Sequence, residues 1–425
     1  MVNNRLRMKV VKALAEDPRP HLEELRQARD SDLERLLLWL DESGLALYFL
    51  RRVEQERELA SLSAKLQEGL LSRQELNRGR VAEMLREFAR VNDALSSAGV
   101  RYAVLKGFSL VPDFCPDPDI RHHNDIDVVV HPESLPKAVS VVSASGYRRI
   151  FSESPGEYKF ILPLPRLSLH RSHIYACPGI GILELHLSAC ESSPGRKQPS
   201  LPDVFEHIAT QELRGIVFPV LSMDDKLLVH MLHVFRHLTI MSVRTSWLYE
   251  LSIFLGTNRC PSWSRRFCQR AGSDKLVRHS CGVTLLLSHN LFGMAIPDAL
   301  HSWCIDTLPI TMRTWSDSAG VDWALSSTGN RSPILIQRPF LSSDLGWAGA
   351  GARILRGLGR ILRKNEEEQI FRPPSFPEVP RGYAIVRQTL SHIVWVLRLC
   401  RDAGRMAVAL IESKIEFLLA RPRCP

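Results

Sequence analysis

The chain has no C-x-x-C pair among its nine cysteines, so a zinc site built on that spacing is excluded. An odd cysteine count without paired spacing points to reduced thiols in a cytoplasm. No run of about 18 uncharged apolar residues occurs, which argues against a membrane-spanning helix. The first twenty residues, MVNNRLRMKVVKALAEDPRP, are basic but lack a long apolar segment and a small-residue cleavage site, so no secretory leader is expected. Acidic side chains are the minority: 46 Asp and Glu face 55 Lys and Arg, giving a net charge of +9 and a pI near 9.2. That balance favours an anionic partner, whether a nucleotide, a nucleic acid or an anionic lipid surface. No nucleic-acid reading motif is present and the arginines are scattered, so nucleic acid is the weakest of the three.

At 425 residues the chain can form two or three domains around a large core. Its 45% apolar and 24% charged residues are ordinary for a soluble protein. Residues 1–100 read as helical. Leu22, Leu25, Leu33, Leu36, Leu37, Leu38 and Leu40 recur near helical spacing. Ser31 is placed to cap a helix that runs to about Asp41, and Gly44 marks its break. A second helical region runs from about Leu59 to Ala98, with a capping box at Ser72 to Glu75 opening its second half. Arg78, Arg80, Arg86 and Arg90 read as its solvated face, and Gly99 ends it.

The stretch with most chemical content is Tyr102 to Val130, YAVLKGFSLVPDFCPDPDIRHHNDIDVVV. A strand-like run ends in Lys106-Gly107, a Pro/Asp-rich loop follows, and Asp125-Ile126-Asp127 opens a second apolar run. Residues i and i+2 of a strand share a face. Asp125 and Asp127 therefore stand side by side, where they repel and raise each other's pKa unless a cation lies between them. Oxygen ligands at this spacing suit Mg²⁺, which is commonly held by one or two carboxylates plus substrate phosphates; Mn²⁺ is the second candidate. Downstream, Glu184 and His186 in Leu183-Glu184-Leu185-His186 again share a face, making Glu184 a candidate third carboxylate.

These elements resemble the nucleotidyltransferase (DNA polymerase beta-like) superfamily, in particular its large bacterial family of uncharacterised nucleotidyltransferase-like proteins. The likeness rests on Leu105-Lys106-Gly107, the prolines Pro116 and Pro118, Arg121 four residues before Asp125-Ile126-Asp127, and the Glu184 strand, and spans about Ala103 to Leu255. One departure is local: the wider superfamily usually follows the glycine with Gly or Ser, whereas this chain has Gly107-Phe108-Ser109. The resemblance implies an α+β fold, with a small mixed nucleotidyltransferase sheet between an N-terminal helical region and a C-terminal helical domain. It implies a metal site of Asp125, Asp127 and Glu184, and nucleotide contacts from Lys106, Gly107, Ser109, Arg121 and His186. The expected reaction moves a nucleoside monophosphate from ATP or another nucleoside triphosphate to an acceptor hydroxyl on a small molecule, sugar, peptide or protein. The alternative is a nucleotide-binding or partner-binding scaffold without turnover.

The expected divisions are 1–100 (helical), 101–220 (α/β core), 221–300 (helical, on the core) and 301–425 (basic extension). Within the second, His131-Pro132-Glu133 starts a helix to about Ser145. Strands are read at Tyr158 to Leu162, Arg166 to Ile174 and Gly181 to Leu187. His170 and His173 fall on opposite faces of the middle one, a poor metal pair. A Pro/Ser-rich linker spans Glu191 to Pro202, and Arg214 to Leu221 is a strand or extended arm. His230, His233 and His237 share a helix face, which fits a zinc site, polar contacts to the core or plain packing. By the resemblance, Glu250 stands where the family more often has Asp, and Arg236 and Arg244 are candidates for triphosphate contacts. Trp347 to Lys364 carries an apolar stripe beside arginines. It suits peripheral contact with an anionic membrane and equally suits packing on the protein, as does the helical hairpin read at Tyr383 to Ala420.

Overall fold

The computed structural model describes residues 4–152, 156–162, 174–176, 181–189, 201, 203–239, 242–257 and 261–326. The His170/His173 strand, most of the Glu191–Pro202 linker and both basic C-terminal segments lie outside the described residues. The fold is α+β, as expected.

Four helices lead: α1 (Asn4–Ala15), α2 (Arg19–Arg26), α3 (Asp30–Ser43) and α4 (Ala46–Gln55). Leu22, Leu25, Leu33, Leu36, Leu37 and Leu40 are buried, but Leu38 is 52% exposed, on the outer face of α3. Ser31 is not the cap; the helix begins at Asp30, with Asp30 and Asp32 in the first turn where the helix dipole favours negative charge. Gly44 ends it at φ +73°, a left-handed conformation that suits glycine.

Helix α5 runs unbroken over Ala64–Ser97. The Ser72–Glu75 box therefore lies inside a helix, where backbone N–H groups already have carbonyl partners and need no cap. Arg78, Arg86 and Arg90 are exposed as expected, but Arg80 is buried. It stands on one stripe with Arg73, Asn77 and Met84, all at helical spacing and all buried.

The sheet comprises β1 (Tyr102–Val104), β2 (Ile126–Val130), β3 (Arg148–Ile150), β4 (Glu157–Ile161), β5 (Ile182–His186), β6 (Ile208–Leu213) and β7 (Ile216–Leu221). The strand order is β3-β4-β5-β2-β1-β7-β6. Pairs β2/β5 and β1/β7 are parallel and the others antiparallel, so the sheet is mixed. Between β2 and β3 lies α6 (Leu135–Ala144), entered through a short turn at Pro132–Ser134. The arm expected at Arg214–Leu221 is the second half of a hairpin. Its turn, Arg214-Gly215, has φ of +50° and +82°, the mirror-image geometry that matches strand twist. Strand β6 escapes a sequence reading because Ala209, Thr210 and Glu212 are exposed and only Leu213 is buried.

Two helical layers enclose the sheet. On one face, Phe88 of α5 packs edge-on against Phe218 of β7 at 4.8 Å, and Tyr102 Oη donates to Asn92 Oδ1 at 2.6 Å. On the other face lies α7 (Met223–Thr239), whose Val229 packs with Ala103, Leu105, Val129 and Leu221. Ser222 Oγ accepts from Asp225 N at the start of α7, above an acidic first turn, as expected. Helices α8 (Thr245–Thr257), α9 (Pro261–Ala271) and α10 (Lys275–Phe292) complete an apolar cluster with α7 that includes Leu227, Met231, Phe254, Phe267 and Leu285. The residues up to Arg236 and from Val243 to Thr307 form one compact unit; the end of α7 and the described residues from Leu308 onward belong to a second. Within that second unit Met312, Trp315 and Trp323 are buried. Among the described residues no helix is long and apolar enough to cross a membrane.

The N-terminal layer is fastened by a buried ion pair: Arg73 donates to both Asp41 oxygens at 2.6 and 2.7 Å, with the side chains 7% and 4% exposed. Arg73→Met should cost about 3–5 kcal/mol, because it strands a buried carboxylate. The double variant with Asp41→Leu should recover most of that loss. Urea unfolding of both variants checks the prediction, and equal losses in the two would contradict it.

Candidate active site

The site forms where β1 ends and β2 begins. These strands are antiparallel, so Lys106, just past the end of β1, and Asp125, just before β2, lie at the same end of the sheet. Leu105 N donates to Asp127 O at 2.9 Å and locks the two ends together. The parallel β2/β5 register places Asp127 opposite Glu184 and Val129 opposite His186. Side chains at paired and i+2 positions share a face, so Asp127, Glu184 and His186 project together.

The three side chains converge: each offers one ligand atom, and these atoms lie within 4.8 Å of one another. His186 Nε2 lies 2.9 Å from Asp127 Oδ1 and 3.7 Å from Glu184 Oε2. Lys106 Nζ lies 3.7 Å from Asp127 Oδ1, and Lys159 of β4 forms an ion pair with Glu184 Oε1. Asp125, expected as an equal partner of Asp127, is half-buried and is not one of the three converging residues. It still feels the cluster. Burial, then Asp127 and Glu184, raise its pKa to about 7 against the pull of Lys106 and Arg244. Burial also opposes ionisation of Asp127, but Lys106 and the His186 hydrogen bond outweigh it and hold that carboxyl well below its usual range.

The donor set fits a divalent cation. Three acids crowd one buried sheet end, and two lysines leave part of their charge unbalanced. His186 fits best as a hydrogen-bond donor to Asp127, since a contact of 2.9 Å between them is an ordinary hydrogen bond. The residues that converge on one point are Asp127, Glu184 and His186, with Asp125 two positions before Asp127 in the chain.

The loop that carries Asp125 is tied down from several sides. Asn77 Nδ2 donates to Asp119 O at 2.7 Å and to Arg121 O at 3.1 Å, and Arg80 Nη2 donates to His123 O at 2.8 Å. Arg214 from the hairpin turn reaches Asp119 at 2.8 Å. Arg121 donates through Nε to Glu250 Oε1 at 2.8 Å, and Tyr48 Oη donates to the same oxygen at 2.8 Å. Glu250 is fully buried, so Arg121 acts as a brace between the loop and α8.

Other expected residues fall as follows. Gly107 has φ +58°, and a Cβ there would lie 3.8 Å from His123 Nδ1. Ser109 Oγ donates to Leu105 O at 2.7 Å, so the hydroxyl closes the turn. Phe108 is buried against Phe88 and His123. On α7, His233 lies in the field of Lys106 and Asp127 and Arg236 in that of Glu157 and Glu184. Burial lowers the pKa of both. Arg244 donates to His122 O at 3.3 Å and lies over the Trp247 ring. Burial and then Arg121 lower its pKa. His230 contacts Trp247 O at 2.9 Å, His233 lies against the Trp247 ring and His237 pairs with Ser242. Among the described residues these three histidines form no metal cluster. Lys159, Asn77, Arg80 and Tyr48 escaped the sequence reading. Only Lys159 carried a signal, as a lysine alternating with Tyr158 and Phe160 in a strand.

The acid cluster lies at one end of a mixed sheet, beside a Lys-Gly turn. Residues 29–293 match the family described as uncharacterised nucleotidyltransferase, and the chain belongs to that family. The match is wider than the stretch that carries the sequence motifs. It takes in α3 to α5 and α9 to α10, so the helices that brace the loop belong to the family unit. No curated protein matches the chain.

Unfolded, Asp125 titrates near its ordinary 3.8; folded, near 7. Between those values the folded protein holds a proton that the unfolded chain has lost, so metal-free stability falls as the pH rises through this window. Asp125→Asn removes the loss. In chelator it should be more stable than wild type at pH 8 and match it near pH 4. Denaturant unfolding at both pH values tests this, and a variant less stable than wild type at pH 8 would contradict it.

Proposed function

We propose that the protein is a divalent-metal-dependent nucleotidyltransferase that transfers a nucleoside monophosphate from a nucleoside triphosphate to an acceptor hydroxyl. The observation that carries the reading is the meeting of Asp127, Glu184 and His186 beside Asp125 and Lys106. Asp125, Asp127 and Glu184 would hold Mg²⁺ or Mn²⁺, which, when bound, neutralises phosphate charge and orients in-line attack.

The chain's own groups do the rest. His186 donates to Asp127 and fixes which of its oxygens faces the cation. Lys106 and Gly107 offer a cation and an unobstructed backbone to the phosphates. Arg244 has no carboxylate partner among the described residues, and its field reaches Asp125, so it is placed to meet the triphosphate. Arg121, bound to Glu250, holds the loop. Glu184 completes the metal site or acts as base, taking the proton of the acceptor hydroxyl as the hydroxyl's oxygen bonds to the α-phosphorus, the bridge to the β-phosphate breaks, and pyrophosphate leaves.

A nucleotide-binding scaffold without turnover is the second reading. It is favoured by the turn at Gly107-Phe108-Ser109, whose hydroxyl is spent on Leu105 O. Binding of a triphosphate without pyrophosphate release would identify it.

Asp125→Asn and Asp127→Asn should each lower Mg²⁺-dependent triphosphate binding or turnover by at least about 100-fold with the fold intact, as loss of a metal ligand entails. Glu184→Gln should reduce turnover more than binding. Calorimetric titration of the four nucleoside triphosphates with and without Mg²⁺, paired with a pyrophosphate-release assay, reads both. Full function in both aspartate variants would refute the site.

A further inference from the structure

Lys159 belongs to none of the motifs that mark this site, yet it occupies one of its carboxylates. Strand β4 runs antiparallel to β5 and sets Lys159 directly opposite Glu184. The ammonium pairs with Glu184 Oε1. Its side chain is 31% exposed, against 11% for Glu184, so it stands on the solvent side of the acid. Lys106, at 11% exposure, stands at Asp127. The two lysines thus neutralise different members of the cluster, one buried and one at its mouth. Lys159 also lies in the field of Asp125 and Glu157.

Lys159 holds Oε1, whereas Oε2 faces His186 and the rest of the cluster, so a divalent cation bound at Oε2 would stand across one carboxylate from this ammonium and repel it. Lysine is a point charge on a flexible four-carbon stem and can swing to another anion nearby. The phosphates of a metal-bound triphosphate would be that anion.

We propose that Lys159 is a counter-ion that exchanges partners. It holds Glu184 in the metal-free protein, gives that carboxylate up to the divalent cation, and then contacts a phosphate oxygen of the incoming triphosphate. This rests on the nucleotidyltransferase reading above. The plain alternative is a cross-strand ion pair that only supports the sheet, and such half-exposed pairs contribute little. The two differ in sign. A supporting pair, when broken, weakens both metal and phosphate binding or neither. An exchanging counter-ion, when removed, strengthens one and weakens the other.

The test uses the full chain and two probes that require no knowledge of the base. Mn²⁺ alone is titrated by paramagnetic resonance of the free ion, and inorganic tripolyphosphate is titrated by calorimetry in saturating Mg²⁺. Lys159→Met should bind Mn²⁺ about 3–10-fold more tightly and Mg²⁺-tripolyphosphate about 10-fold more weakly than wild type, the scale of one ionic contact. Lys159→Arg, which keeps the charge, should stay within about 3-fold of wild type on the second probe. Equal affinities in Lys159→Met and wild type, or a loss on both probes, would overturn the exchange and leave the metal site standing. Failure of wild type to bind Mn²⁺ would remove the metal site and the exchange with it.

Discussion

The register between Ile126–Val130 and Ile182–His186 is the constraint on which the rest depends. Because the strands are parallel and Asp127 lies opposite Glu184, two carboxylates separated by 57 positions in the chain are neighbours on one face. A slip of one residue would turn Glu184 and His186 to the other face and bring Leu183 or Leu185, according to its direction, opposite Asp127. The apolar residues oppose such a slip. Leu183, Leu185, Val128 and Val129 are all buried, so both faces of the central pair are specified by packing. The acids are held together by hydrophobic burial around them, against their own repulsion.

That repulsion explains the cations. Lys106 and the His186 hydrogen bond attend Asp127 and Lys159 pairs with Glu184, whereas at Asp125 the pull of Lys106 and Arg244 is outweighed by burial and the two neighbouring acids, and its pKa is raised. The protein has thus stabilised Asp127 as an anion and left Asp125 poised near neutrality. A metal-free site that stores unfavourable charge at one residue gains most when a cation arrives. The same residue is predicted to lower metal-free stability and to be needed for function, the trade expected where a site is built for a ligand rather than for the resting fold.

The sequence revealed what is local. The D-I-D pair, the Lys-Gly turn and the Glu-Leu-His strand are each readable because strand periodicity needs only two or three residues. So was the alternation of helical region, mixed sheet and helical region. What escaped depends on distance in the chain. Lys159 gains meaning only from the β4/β5 register, and Arg80 only from the path of the loop over α5. Arg80 reads as a surface arginine among surface arginines until the buried stripe of Arg73, Asn77 and Met84 shows which side of a long helix faces inward. The Ser72–Glu75 box misled for a related reason: a cap signal has force only where backbone donors are free, and the continuing helix had already used them.

The loop between Gly107 and Asp125 holds the acids' geometry to the rest of the molecule. It has little regular structure of its own beyond short turns at Gly107–Leu110 and Pro118–Ile120. Its carbonyls at Asp119, Arg121 and His123 are instead taken by side chains from α5, and its Arg121 by a fully buried glutamate from α8. Carbonyl acceptors that a strand would satisfy by pairing are here satisfied by side chains of a distant helix. A loop held in this way keeps Asp125 in place without the rigidity of a strand. It also makes α5 and α8 part of the site, although neither supplies a metal ligand. The family match extends over those helices for a reason the geometry supplies: Asn77, Arg80 and, through Arg121, Glu250 hold the loop that brings Asp125 up to Asp127 and Glu184.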